Sequence, residues 1–146
     1  DGVFFISDPH LQLWETSSLG GPARRMVGKT EVAKNNLNPT WSTSMEYFFV
    51  FESQQFLQIK VVDSDDGKND DLLGSADLEL VNIITKGSAQ GYEVDLKLGG
   101  VNRGKVRIRF ERMAVDNNLF TLSTFASELK TGCCSRNDVF LKIYRP

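Results

Sequence analysis

The sequence predicts an all-β protein, an antiparallel sandwich or barrel, on three observations. Apolar and polar residues alternate over short runs, as in Leu57, Ile59 and Val61 with Gln58 and Lys60 between them, or Val106, Ile108 and Phe110 with Lys105, Arg107 and Arg109. A period of two marks a strand with one face on a core and the other in water. Turn residues fall between the runs, at Leu19-Gly20-Gly21-Pro22, Asn35-Asn36-Leu37-Asn38-Pro39, Asp66-Gly67, Gly99-Gly100 and Asp116-Asn117-Asn118. No stretch carries a long helical stripe.

Taken in order, the strands are expected near 10–14, 25–33, 44–51, 56–62, 73–80, 91–98 and 104–111. The first places Leu11 and Leu13 on one face; the fifth alternates Ala76, Leu78 and Leu80 with Asp77 and Glu79; the sixth alternates Val94, Leu96 and Leu98 with Glu93, Asp95 and Lys97. Val81-Asn82-Ile83-Ile84-Thr85 reads as a short helical turn after the fifth strand.

The 146 residues suffice for one domain with a core. A net charge of −2 argues against a general nucleic-acid binder, which is usually basic. No apolar run approaches the roughly 18 residues that span a bilayer. The start, Asp1-Gly2-Val3, has neither an initiator Met nor a signal-peptide pattern, so an excerpt from a longer chain is expected. Cys133 and Cys134 are neighbours and suit loop thiols in a reducing compartment better than a crosslink.

Chemistry concentrates between Val61 and Gly74. Asp63, Asp65, Asp66, Asp70 and Asp71 crowd a loop in which Lys68 is the lone cation. Two readings stand: an acidic, solvated turn, or a site for a hard cation such as Ca²⁺, which takes six to eight oxygen ligands. An EF-hand does not fit, because Gly67 stands fifth from Asp63 instead of sixth and Gly74 occupies the twelfth place, where a bidentate Glu is needed.

A second pattern is an internal echo. Ser7-Asp8-Pro9-His10-Leu11-Gln12-Leu13-Trp14 returns as Asn137-Asp138-Val139-Phe140-Leu141-Lys142-Ile143-Tyr144, with Asp138 falling 130 residues after Asp8. A tandem array is the expected parent.

These residues resemble the C2 domain family. Ser7-Asp8-Pro9 precedes a strand; Lys29-Thr30-Glu31-Val32 runs into Asn36-Leu37-Asn38-Pro39-Thr40-Trp41, similar to the family's K-T…N-P-x-W; and Asp63, Asp65 and Asp71 precede Leu72-Leu73-Gly74 at the family's spacing. The blocks cover residues 7–112. The run Gly104-Lys105-Val106-Arg107-Ile108-Arg109-Phe110-Glu111, leading through a polar segment to the echo, resembles the first and second C2 units of a copine.

The resemblance implies an eight-stranded antiparallel β-sandwich of C2 type. Its first unit would occupy residues 1–112 without its own first strand. A linker would follow at 113–118, and residues 119–146 would begin a second unit. Leu119–Ala126 is expected to fill the vacant strand position, completing the sandwich circularly.

The resemblance also implies a Ca²⁺ site formed by Asp8, Asp63, Asp65, Asp71 and the Ser64 carbonyl. The family's remaining loop aspartate would fall at Gly2; Asp1 stands one position away. Phe4, Phe5 and Ile6 would either enter a bilayer interface beside the metal or pack as core. Lys105, Arg107 and Arg109, with Lys60 from another strand, form a basic face of the kind that binds phosphoinositides or proteins in some C2 domains. The implied partners are an anionic phospholipid membrane and proteins, not nucleic acid. The implied location is cytoplasmic with recruitment to the plasma membrane. The runner-up is a Ca²⁺-independent interaction module. Catalysis is not expected, since His10 is the sole histidine and no nucleophile motif accompanies it.

Overall fold

The computed structural model describes residues 7–50, 52–65, 69–87, 90–113 and 116–130. The strands are β1 (Pro9–Thr16), β2 (Ala23–Lys29), β3 (Thr40–Phe48), β4 (Phe56–Asp63), β5 (Asp71–Glu79), β6 (Tyr92–Leu98), β7 (Val101–Met113) and β8 (Asp116–Ser127), with helix α1 (Leu80–Lys86) between β5 and β6. All neighbours are antiparallel, in the order β2-β1-β4-β5-β6-β7-β8-β3. β5 and β6 meet at a single pair, Ser75 with Lys97, and the sheet folds over there.

Two layers result, β2-β1-β4-β5 and β6-β7-β8-β3, with the inward residues of both in one core. Leu11, Leu13, Leu57, Ile59, Val61 and Leu73 come from the first; Met45, Leu96, Val106, Ile108 and Leu122 come from the second. This is the face-to-face packing of a sandwich. α1 presents Leu80 and Ile83 to the same core.

β8 pairs with β7 on one side and with β3 on the other, Arg107 facing Phe125 and Phe48 facing Leu119. The segment expected to complete the sandwich therefore does so. Where a linker was expected at 113–118, β7 reaches Met113 and β8 begins at Asp116. The echo segment 137–144 and the adjacent Cys133 and Cys134 lie outside the described residues.

Two strand boundaries differ from expectation by four residues, the largest shifts among the described strands. β2 ends at Lys29, four residues before the expected end, because pairing continues in another form. The Thr30 hydroxyl accepts the N–H of Leu11 at 2.9 Å while the N–H of Thr30 donates to the Leu11 carbonyl at 2.8 Å. β3 starts at Thr40, four residues early, and carries a bulge: its register with β8 steps from Thr40–Phe125 to Ser44–Ser123. The bulge frees backbone donors. The Glu31 carboxylate takes them, from the N–H of Ser42 at 2.8 Å and of Thr43 at 3.1 Å, together with both side-chain hydroxyls. These donors hold its carboxyl down at a pKa of about 2.

Gly104 has φ +131, and an added Cβ would lie 2.9 Å from the Glu128 carbonyl oxygen, so only glycine lets β7 pass that close.

Candidate metal-binding end

Strand pairing puts three of the expected ligands at one end of the first layer. Pro9 faces Asp63 and Asp63 faces Asp71, so Asp8, Asp63 and Asp71 stand at the same end of β1, β4 and β5. The β1 and β4 ends are tied together. The Asp8 N–H donates to Asp63 Oδ1 at 2.7 Å, and the Ser64 N–H donates to the Asp8 carbonyl at 3.0 Å.

The K-T…N-P-x-W stretch serves as a brace for this end. The Pro9 carbonyl accepts the Trp41 indole N–H at 3.2 Å and the Ala33 N–H at 2.9 Å. The Asn36 N–H reaches the Ser7 carbonyl at 3.1 Å. Asp8 itself accepts the Asn35 N–H at 2.7 Å and pairs with Lys34 at 3.3 Å. Its carboxylate thus faces two donors, one of them a cation.

Electrostatics make Asp63 the strained member. Burial pushes its carboxyl above the usual range, and the nearby Asp65 and Asp8 carboxylates push the same way, against the Asp8 N–H bond. Crowded, part-buried carboxylates are what a bound cation relieves. The donors are all oxygen, which suits a hard cation such as Ca²⁺. Asp65 and Asp71 are exposed and Ser64 is half-buried. Among the described residues, no three acidic, histidine or cysteine side chains converge closely enough to hold an ion as they stand. Asp1 lies outside the described residues.

A hydrogen-bonded line on the outer face of β1 reaches this end, and sequence reasoning missed it. The Trp14 indole can only donate, and Gln12 Oε1 accepts it at 3.0 Å. Gln12 Nε2 then donates to His10 Nε2 at 3.2 Å, which leaves His10 Nδ1–H to donate to the Ser64 hydroxyl at 2.7 Å. Burial lowers the His10 pKa, in keeping with this neutral tautomer. His10 therefore fixes Ser64 beside Asp63.

Phe4, Phe5 and Ile6 lie outside the described residues. At the same end, however, Leu72 is the second residue of β5 and Val101 follows the Gly99-Gly100 turn between β6 and β7; Val101 is 59% exposed and Leu72 36%. Antiparallel pairing from Ser75–Lys97 brings that turn level with Leu72. Val32, on the bracing loop, is exposed as well.

The basic face divides. Lys105, Arg107 and Arg109 lie together on β7. Lys60 is on β4, separated from β7 by β5 and β6 in the sheet order, with its ammonium 5.3 Å from the Trp14 ring. It does not join the other three. Lys105 and Arg107 both pair with Glu93, at 3.3 and 3.4 Å.

Residues 5–96 match the C2 domain family. The chain belongs to that family. The match takes in β1 to β5 and most of β6 and stops before β7, so the β7–β8 hairpin of this C2 domain stands outside it. Among curated relatives, Copine-E of Dictyostelium discoideum is 28% identical over 98% of this chain and 25% of its own length. Copine-A of the same organism is 33% identical over 80% of this chain and 18% of its own. Extended synaptotagmin-1 of Mus musculus is 31% identical over 73% of this chain and 9% of its own. The C2 domain thus spans about a quarter or less of these relatives.

Proposed function

We propose that this C2 domain is a Ca²⁺-dependent module that docks on anionic phospholipid membranes, in a copine-like protein. The observation that carries the reading is the alignment of Asp8, Asp63 and Asp71 at one end of three neighbouring strands, with Asp63 under charge and burial stress. Asp8, Asp63, Asp65, Asp71 and the Ser64 carbonyl would hold the ion. Bound Ca²⁺ supplies positive charge and coordination sites for phosphate oxygens. The chain does the rest. The bracing loop and the His10–Ser64 bond hold the ligand backbone in place, and Leu72 and Val101 offer apolar contact to the bilayer interface. Without the ion, the carboxylates repel anionic headgroups. A cytoplasmic location with recruitment to the plasma membrane follows from this reading, and so does the absence of catalysis.

One observation favours a second reading, a Ca²⁺-independent protein-interaction module: the Asp8 carboxylate already faces Lys34 and the Asn35 N–H. Sedimentation with phosphatidylserine vesicles separates the two. Binding that needs Ca²⁺ and is lost in Asp63→Asn with Asp65→Asn supports the first. Binding indifferent to Ca²⁺, or none, supports the second.

A further inference from the structure

We propose that Lys34 is a tethered counter-ion of the candidate Ca²⁺ site: its ammonium neutralises Asp8 until the metal arrives, and its displacement sets how tightly the metal binds. The inference rests on the Ca²⁺ reading above and adds a regulator to that same site.

The bracing loop puts Lys34 in place. The N–H groups of Thr30 and Ala33 donate to the Leu11 and Pro9 carbonyls of β1, and that of Asn36 donates to the Ser7 carbonyl. Ala33 and Asn36 are therefore fixed, and the two residues between them are carried onto Asp8. Asn35 takes φ +49, a left-handed conformation in which asparagine is enriched. Its N–H donates to Asp8 Oδ1 at 2.7 Å, and the Lys34 ammonium donates to Oδ2 at 3.3 Å. The two donors differ in kind. The backbone N–H is held by the loop. The ammonium ends a flexible four-carbon stem, and the Lys34 side chain is 63% exposed against 22% for Asp8. The acid stays and the cation can leave for water.

Charge gives the pair its role. The Asp8 and Asp65 carboxylates both act on part-buried Asp63. A cation at Asp8 offsets part of that repulsion in the metal-free chain. A divalent ion does so with two charges and direct oxygen coordination. An ammonium and a metal ion on one carboxylate repel each other, so the second drives off the first. Tethering keeps the competitor beside Asp8 at any protein concentration.

Calorimetric titration with Ca²⁺ and thermal melts in EGTA test this. Lys34→Met keeps an unbranched apolar stem and removes the charge. It should bind Ca²⁺ about threefold more tightly than the parent, the scale of an exposed ion pair. It should also melt about 1–3 °C lower in EGTA, and with Asp8→Asn already in place it should leave that melt unchanged. Lys34→Arg keeps the charge and should stay within about twofold of the parent affinity. Lys29, at the end of β2 opposite Gln12, supplies a control: Lys29→Met removes a charge from the same region and should tighten Ca²⁺ binding less than about 1.5-fold. Equal Ca²⁺ affinity in the parent and Lys34→Met, an equal gain in Lys29→Met, or the same drop in the EGTA melt with and without Asp8→Asn would overturn the proposal and leave the metal site standing. Saturable Ca²⁺ binding in Lys34→Met alone would support it, with Lys34 holding the parent closed. No Ca²⁺ binding in either chain at about 10 mM, beyond the weakest class of protein sites, would overturn the metal reading and this inference with it.

Discussion

The backbone N–H of Asp8 donates to the Asp63 carboxylate at 2.7 Å, so one candidate ligand orients the strand that carries another. Asparagine keeps the accepting oxygen and removes the charge. Asp63 has a raised pKa, so its ionised form works against the fold at neutral pH, and stability is lost as pH rises through the folded value. Asp63→Asn should therefore unfold in urea at neutral pH no earlier than the parent, while losing Ca²⁺-dependent vesicle binding. Asp63→Ala loses the acceptor as well and should cost about 1–2 kcal/mol relative to Asn.

Glu31 has the opposite sign. Its folded pKa of about 2 lies below the ordinary 4.5 because Ser42 and Thr43 donate to it. Its contribution to stability is full above the ordinary value and is lost as pH falls from there through about 2. Glu31→Gln should lower stability by about 1 kcal/mol at pH 6, modestly because the site is exposed. The gap between parent and variant should shrink at pH 3, as read from urea midpoints at the two pH values.

The two free edges of the sheet are laced by side chains. The Tyr47 hydroxyl of β3 donates to Glu15 of β1 at 2.5 Å, and Arg25 of β2 donates to both oxygens of the same carboxylate, at 2.6 and 2.9 Å. Tyr47→Phe should destabilise by about 1–2 kcal/mol, since a charged acceptor loses its half-buried donor. Thermal unfolding measures it. Arg25→Ala should cost less, because the arginine is exposed.

Val101→Asp should weaken Ca²⁺-dependent vesicle binding several-fold with a stability change within about 0.5 kcal/mol, because the residue is exposed at the very start of β7. Sedimentation together with a thermal melt reads both. Unchanged vesicle binding would place the Gly99-Gly100 turn away from the lipid.

Much of the sandwich was legible because its strands alternate with a period of two. The exceptions are instructive. β3 could not be read back to Thr40 because its bulge breaks the alternation, and the residue that makes the bulge tolerable, Glu31, precedes Ser42 by 11 positions. The end of β2 was read too late because Val32 and Ala33 continue its apolar pattern after regular pairing stops; Ala33 still bonds to β1, through the Pro9 carbonyl. Spacing pointed to Asp63 and Asp71 and a motif to Asp8, and the register brings them to one end. The His10–Ser64 link was hidden, since a lone histidine in a strand shows nothing of which loop will fold against it. Charge alone groups Lys60 with the β7 cations, but charge carries no information about strand order, and β5 and β6 separate the two strands.

The β7–β8 hairpin has a consequence for how the protein is made. Among the described residues β3 has β8 as its sole strand neighbour, and the bond from the Glu128 N–H to Asn38 spans 90 residues. At a synthesis rate of about 5–20 residues per second, β3 leaves the ribosome several seconds before its partner. During that interval Trp41 and Met45 have half their sandwich missing. The nascent chain must wait, exposed, for a hairpin that lies outside the family match, and a chaperone would find its handle there.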